Sequence, residues 1–197
     1  MNKNLKFHLL PLILICGLLF EGCQTLKMPA GPDVSSLPHI QNAPTIGIQV
    51  IDSRSSERIG TIGAASLYVK ANEIIPPTQN YLIHFLYEQG INAVVMPQSV
   101  NLPDLNLDGL INMDVKNINV SSFDLLMDEP EYISTALVTL TDQKGQTLFK
   151  GQVQGNDRSR AISVKGTGII IGKTINNAIM HLSISNEFMK AIKNLKH

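Results

Sequence analysis

Residues 132–155, YISTALVTLTDQKGQTLFKGQVQG, decide the architecture. Two runs rich in β-branched and aromatic residues flank Gln143-Lys144-Gly145-Gln146, where Gly145 can take the positive φ that a tight connection needs. The stretch reads as a β-hairpin. Just upstream, LDGLINMDVKNINVSS at 107–122 alternates Ile111, Met113 and Val115 with Asn112, Asp114 and Lys116. That period of two marks a strand with one buried face. Together the two stretches predict a meander of strands.

Working outward, TIGIQVIDSR at 45–54 is a further strand, burying Ile46, Ile48 and Val50, and ASLYVKANEI adds another. PPTQNYLIHFLYEQG at 76–90 predicts a helix that starts at Pro77, where a missing N–H costs nothing, and stops at Gly90. Leu82, Phe85, Leu86 and Gln89 share its apolar face. INAVVM at 91–96 is a short strand. A second helix spans 173–195 on a stripe of Ile175, Ala178, Ile179, Leu182, Met189 and Ile192, with Ser183 and Ser185 as break signals. The glycine-rich 166–172 segment before it reads as a flexible lead-in. Strand, helix, meander and helix predict an α+β fold, a mostly antiparallel sheet with two helices packed on one face. The other face, carrying Asn, Lys, Thr and Gln, suits water.

The amino terminus sets the location. Lys3 and Lys6 precede an apolar run, Leu9–Phe20, closed by Glu21. A membrane span needs ~20 apolar residues, so this shorter run reads as a secretory leader. Gly22-Cys23 at its end resembles the bacterial lipobox, in which the cysteine is acylated and becomes the new amino terminus. Residues 1–22 are therefore assigned to a lipoprotein signal peptide, with Cys23 as the lipidation site. Of the two cysteines, Cys16 leaves with the leader, and Cys23 then has no partner for an internal disulfide. Residues 23–44, with Pro29, Pro32, Pro38 and Pro44, read as a lipidated, flexible tether. Residues 45–197 form a single domain of a size that buries its core without a staple. Gln24 after the cysteine implies the periplasmic face of the outer membrane rather than inner-membrane retention.

The charge is balanced, with 16 basic and 16 acidic residues, and there is no tryptophan. No basic footprint attracts nucleic acid, and no aromatic platform invites sugar stacking.

Two motifs suggest chemistry. Gly172-Lys173-Thr174 ends like a phosphate loop, but that loop requires glycine at 167, where Thr167 stands between Gly166 and Gly168. Its interior would be Ile169, Ile170 and Ile171, too bulky to wrap phosphate. Asp104, Asn106, Asp108 and Gly109 match the first half of a calcium loop, but position 12 is Val115, and Asp114 comes one place early. We read it as a polar turn feeding a strand, and keep the 104–114 loop as the pointer to an alternative, a small-ligand or calcium-binding protein. His84 and Glu88 have helical i, i+4 spacing without a third ligand, and His39, His84, His181 and His197 make no zinc spacing. Asp124, Asp128, Glu129 and Glu131 form an acidic loop enclosing Phe123, Leu125, Leu126 and Met127, a candidate partner contact. No catalytic, cofactor or metal residues are assigned, and no enzymatic activity is expected.

With VIDSR, TQNYLIHFLYEQGI, LDGLINMDV and INNAIMHLSISNEFMKAIKNL in this order behind the lipobox, the chain resembles the YajG-like family of small envelope lipoproteins. The resemblance implies an outer-membrane-associated lipoprotein without an assigned activity, and carries no catalytic residues. The expectation is a lipid-anchored, non-enzymatic periplasmic domain that binds another envelope protein.

Overall fold

The structure is a computed structural model that describes residues 23–62, 65–97, 106–121, 129–160 and 163–195. Its elements are β1 (Cys23–Thr25), β2 (Thr45–Asp52), β3 (Arg58–Ile62), β4 (Ala65–Tyr68), α1 (Ala71–Glu88), β5 (Asn92–Val95), β6 (Gly109–Val120), β7 (Glu131–Asp142), β8 (Thr147–Arg158), α2 (Val164–Ile184) and α3 (Asn186–Asn194). A five-stranded sheet runs β5-β2-β6-β7-β8, and a three-stranded sheet runs β1-β4-β3. The fold is α+β. The antiparallel part is the β6–β7–β8 meander, whereas β2 lies parallel to both β5 and β6, so the large sheet is mixed. The parallel β2–β5 pair follows from α1, which lies on the crossover returning the chain from β2 to β5.

The 132–155 hairpin forms as its sequence predicts. Gly145 takes φ +77°, and Asp142 Oδ1 accepts from the N–H groups of Lys144 and Gln146 at 2.9 and 2.8 Å. Alternation in β7 buries Tyr132, Ser134, Ala136, Val138 and Leu140. β6 buries Ile111, Met113 and Val115 on the same side, and β2 buries Ile46, Ile48 and Val50. Leu82, Phe85 and Leu86 of α1 and Ile175, Ala178, Ile179 and Leu182 of α2 complete one core.

Three boundaries differ from the sequence reading, and a fourth falls at a break it named. α1 begins at Ala71 and runs through Pro76 and Pro77. Burial of Ile74 and Pro77 offsets the backbone bonds the prolines forgo, and Thr78 Oγ1 donates to Ile74 O at 2.7 Å. The segment 166–172, expected as a flexible lead-in, lies inside α2. Ser163 caps that helix, its hydroxyl accepting from Gly166 N at 3.1 Å, and burial of Thr167, Ile170 and Ile171 overrides the poor helix propensity of glycine and β-branched residues. The second helix divides at Ser185, which closes α2 and caps α3, accepting from Phe188 N at 3.3 Å. Residues 23–44, expected as a flexible tether, are laid along the domain. Their apolar side chains Leu26 and Met28 are core residues, which a free tether could not offer.

Candidate anchoring site

Cys23 opens β1 as an exposed free thiol. β1 adds parallel to β4, with Cys23 opposite Ser66, Gln24 opposite Leu67 and Thr25 opposite Tyr68. The ladder continues one step, with Leu26 N donating to Tyr68 O at 2.8 Å. Leu26 is fully buried and Met28 nearly so. Cys23 is thus joined to a packed element, three residues from the core.

α2 supplies the seat beyond β1. The chain crosses it at Gly168, where a Cβ would stand 2.2 Å from Lys27 O, so only glycine admits the backbone this close. One turn on, a Cβ at Gly172 would lie 3.4 Å from Pro29 Cγ. Asn80 Nδ2 of α1 then donates to Ala30 O at 2.8 Å. Further along, Asn92 holds Ile40 from both sides: its Oδ1 accepts from Ile40 N at 3.0 Å and its Nδ2 donates to Ile40 O at 2.9 Å. Prolines and polar residues hid this docking in the sequence. The available signal was Leu26-x-Met28, an apolar alternation continuing a strand.

The phosphate-loop look-alike is helix throughout. Its Lys173 Nζ pairs with Asp157 Oδ2 at 3.2 Å. Thr174 is buried, donates to Ile171 O at 2.9 Å, and lies 2.5 Å from Ser134 Oγ. Because the single Thr174 proton goes to Ile171, Ser134 is the donor between the hydroxyls. Gly168, Gly172, Lys173 and Thr174 are therefore all used in packing α2 onto β7, β8 and the amino-terminal segment.

In the calcium-like loop, Asp104 lies outside the described residues. Asp108 Oδ2 accepts from Thr45 N at 2.7 Å, tying β2 to β6. Asp114, on the sheet face away from the helices, accepts from Ser53 Oγ and Lys116 Nζ, each at 2.5 Å. The two carboxylates thus serve different contacts. His84 Nε2 stands 3.3 Å from Glu88 Oε1 on the exposed side of α1. Glu131 pairs with Arg158 at 3.4 Å across the β7–β8 ladder. Asp124, Asp128, Phe123, Leu125, Leu126 and Met127 lie outside the described residues, as do residues 1–22, expected as a leader. Among the described residues no three or more His, Cys, Asp or Glu side chains converge, and no helix is long and apolar enough to cross a membrane.

The sequence reading missed two polar features. Arg54 and Asp52 form an ion pair at 2.8 Å with side chains only 4% and 7% exposed, and Arg54 Nη2 also donates to Val69 O at 2.8 Å. The pair joins the end of β2 to the small sheet. Under α2, burial pushes the Tyr132 phenol up, opposed by the Thr167 hydroxyl and reinforced by the Asp157 charge. The Ser159 hydroxyl holds the Asp157 carboxyl below its ordinary range; partial burial opposes this and Lys173 adds to it. A surface hollow of about 450 Å³ is lined by Ile40, Asn42, Pro44, Gly90, Asp108 and Leu195, and its one carboxylate among these, Asp108, is the group that accepts from Thr45 N.

No family model matches the sequence, and a search of curated proteins finds no match. Solved structures do match the fold. An uncharacterized protein superposes with a TM-score of 0.53 at 10% identity, covering 83% of this chain and 98% of that one. A hypothetical protein from Chlamydia trachomatis gives 0.51 at 8% identity, covering 74% and 96%. A protein from Xanthomonas campestris, described as family DUF330, gives 0.50 at 10% identity, covering 87% and 98%. At such identities the likeness is one of fold.

Proposed function

We propose that the chain is a lipid-anchored envelope protein of the YajG-like kind, acylated at Cys23 and held at the periplasmic face of the outer membrane. In this reading it is a non-enzymatic component that binds another envelope protein. One observation carries it: an apolar leader ends at Gly22-Cys23, and Cys23 is an exposed thiol opening the first strand of the body. An unpaired thiol at the junction of leader and body is what acyl transfer requires. The non-enzymatic part is supported by where the polar residues go. Lys173, Thr174, Asp108 and Asp114 each hold neighbouring elements together.

Intact mass and membrane fractionation of the wild type and Cys23→Ser test the anchor. The expected wild-type product starts at Cys23, carries a diacyl or triacyl mass and fractionates with the outer membrane, while Cys23→Ser does none of these. An unmodified chain retaining residues 1–22 would refute the reading. Affinity capture from membranes tests the partner, with recovery of a specific envelope protein above the Cys23→Ser control as the expected result.

A further inference from the structure

The seat of Cys23 also decides which way the body faces. We propose that the β3–β4 end of the small sheet rests on the lipid bilayer that holds the acylated Cys23, giving the domain a fixed orientation on the membrane. This rests on lipidation at Cys23.

The chain from Cys23 to the buried Leu26 reaches at most about 11 Å at ~3.3–3.6 Å per residue, so no slack lets the body stand away from the lipid surface. Cys23 pairs with Ser66, and Ser66 pairs with Thr61 across the β3–β4 ladder, with Ile62 opposite Ala65. The acylated residue and the end of the hairpin therefore lie at the same end of the small sheet. The described residues at this end, Thr61, Ile62, Ala65 and Ser66, carry no charge. The nearest charges of this sheet, Arg58 and Lys70, lie toward its opposite end. Small uncharged and apolar residues can enter the headgroup boundary without the desolvation cost of a buried charge.

The contact fixes the rest of the molecule too. Gly60 lies against Val120, where a Cβ would stand 2.5 Å from the Val120 carbonyl oxygen. Val120 thus lies beside the small sheet, and the turn at Gln143–Gln146 is at the other end of the long strands, about 35–40 Å away at ~3.3 Å per residue.

The test uses the full, acylated protein with single added cysteines at Thr61→Cys, Ser66→Cys or Lys144→Cys. Cys16 leaves with the leader and the acylated Cys23 has no free thiol, so a fluorescent maleimide marks only the added residue. Each protein is reconstituted into phosphatidylethanolamine–phosphatidylglycerol vesicles containing a nitroxide-headgroup lipid. Quenching at positions 61 and 66 should exceed that at 144 several-fold. Acylated protein with equal quenching at all three positions, or with most at 144, would overturn the orientation. Intact mass separates this from failure of the premise: samples lacking acyl mass and labelled at Cys23 would remove the anchor, and the orientation with it.

Discussion

Gly168 shows how a single hydrogen atom decides the seating of the amino-terminal segment. A methyl group there would overlap Lys27 O at 2.2 Å, backbone against backbone, with no flexible side chain to yield. Gly168→Ala should destabilise by about 1–3 kcal/mol, measured by urea unfolding. Gly151→Ala, whose nearest obstacle is the Phe149 ring within the same strand, tests whether β8 is equally intolerant and should cost less. At the Asp52–Arg54 pair the loss is of charge balance. Asp52→Asn leaves a buried guanidinium without its counter-ion and should cost about 3–5 kcal/mol, read from the same unfolding curves. Asp157 yields a pH signature. Its carboxyl is held low in the folded state, chiefly by Ser159, so its stabilisation is complete above the ordinary carboxylate range and fades as pH falls toward the lowered value. The difference in Tm between wild type and Asp157→Asn should therefore be largest near neutrality and close between about pH 5 and pH 2.

The secondary structure was most legible where one periodicity governed a whole element. The β6 and β7–β8 patterns were read correctly because alternation continued over twelve-residue strands with one wet face. Helix starts were less legible. Pro77 looked like a first-turn residue, and Gly166-Thr167-Gly168 looked like a loop, because local propensity does not register the burial of Ile74 or Ile171. The break at Ser185 was visible as a polar residue in an apolar stripe, and its role is now specific. Ser185→Ala removes the α3 cap and should cost about 1 kcal/mol, while Ser185→Asp should retain most of it, both checked by thermal unfolding. The cap matters because α3 delivers Phe188 to the core, where its ring meets Phe149 edge-on at 5.2 Å.

For the whole molecule, the α+β class and the candidate anchor at Cys23 were readable from patterning and from Gly22-Cys23, but the docking of residues 23–44 was not. Proline-rich composition signals a lack of regular structure, not a lack of contact, and the partners Tyr68, Asn80, Asn92 and Gly168 are all distant in sequence. Docking makes a global prediction. Hydrogen exchange at the Leu26 amide should approach the slowest rates of the large sheet, and limited proteolysis should spare Leu26–Ala30 until the domain unfolds. Rapid exchange or early cleavage there would show that the segment is not part of the cooperative body. The crossing of Lys27 over Gly168 also orders events in time. A ribosome makes the first strand, and the β4 strand it pairs with, long before the helix that covers Lys27, so the seat of the amino-terminal stretch is incomplete until nearly all of the chain exists. Closure by contacts this far apart is slow, and it leaves a growing chain open for the whole of its synthesis. Under the proposed acylation, that delay would leave Cys23 within reach of a modifying enzyme before the fold closes around its first strand.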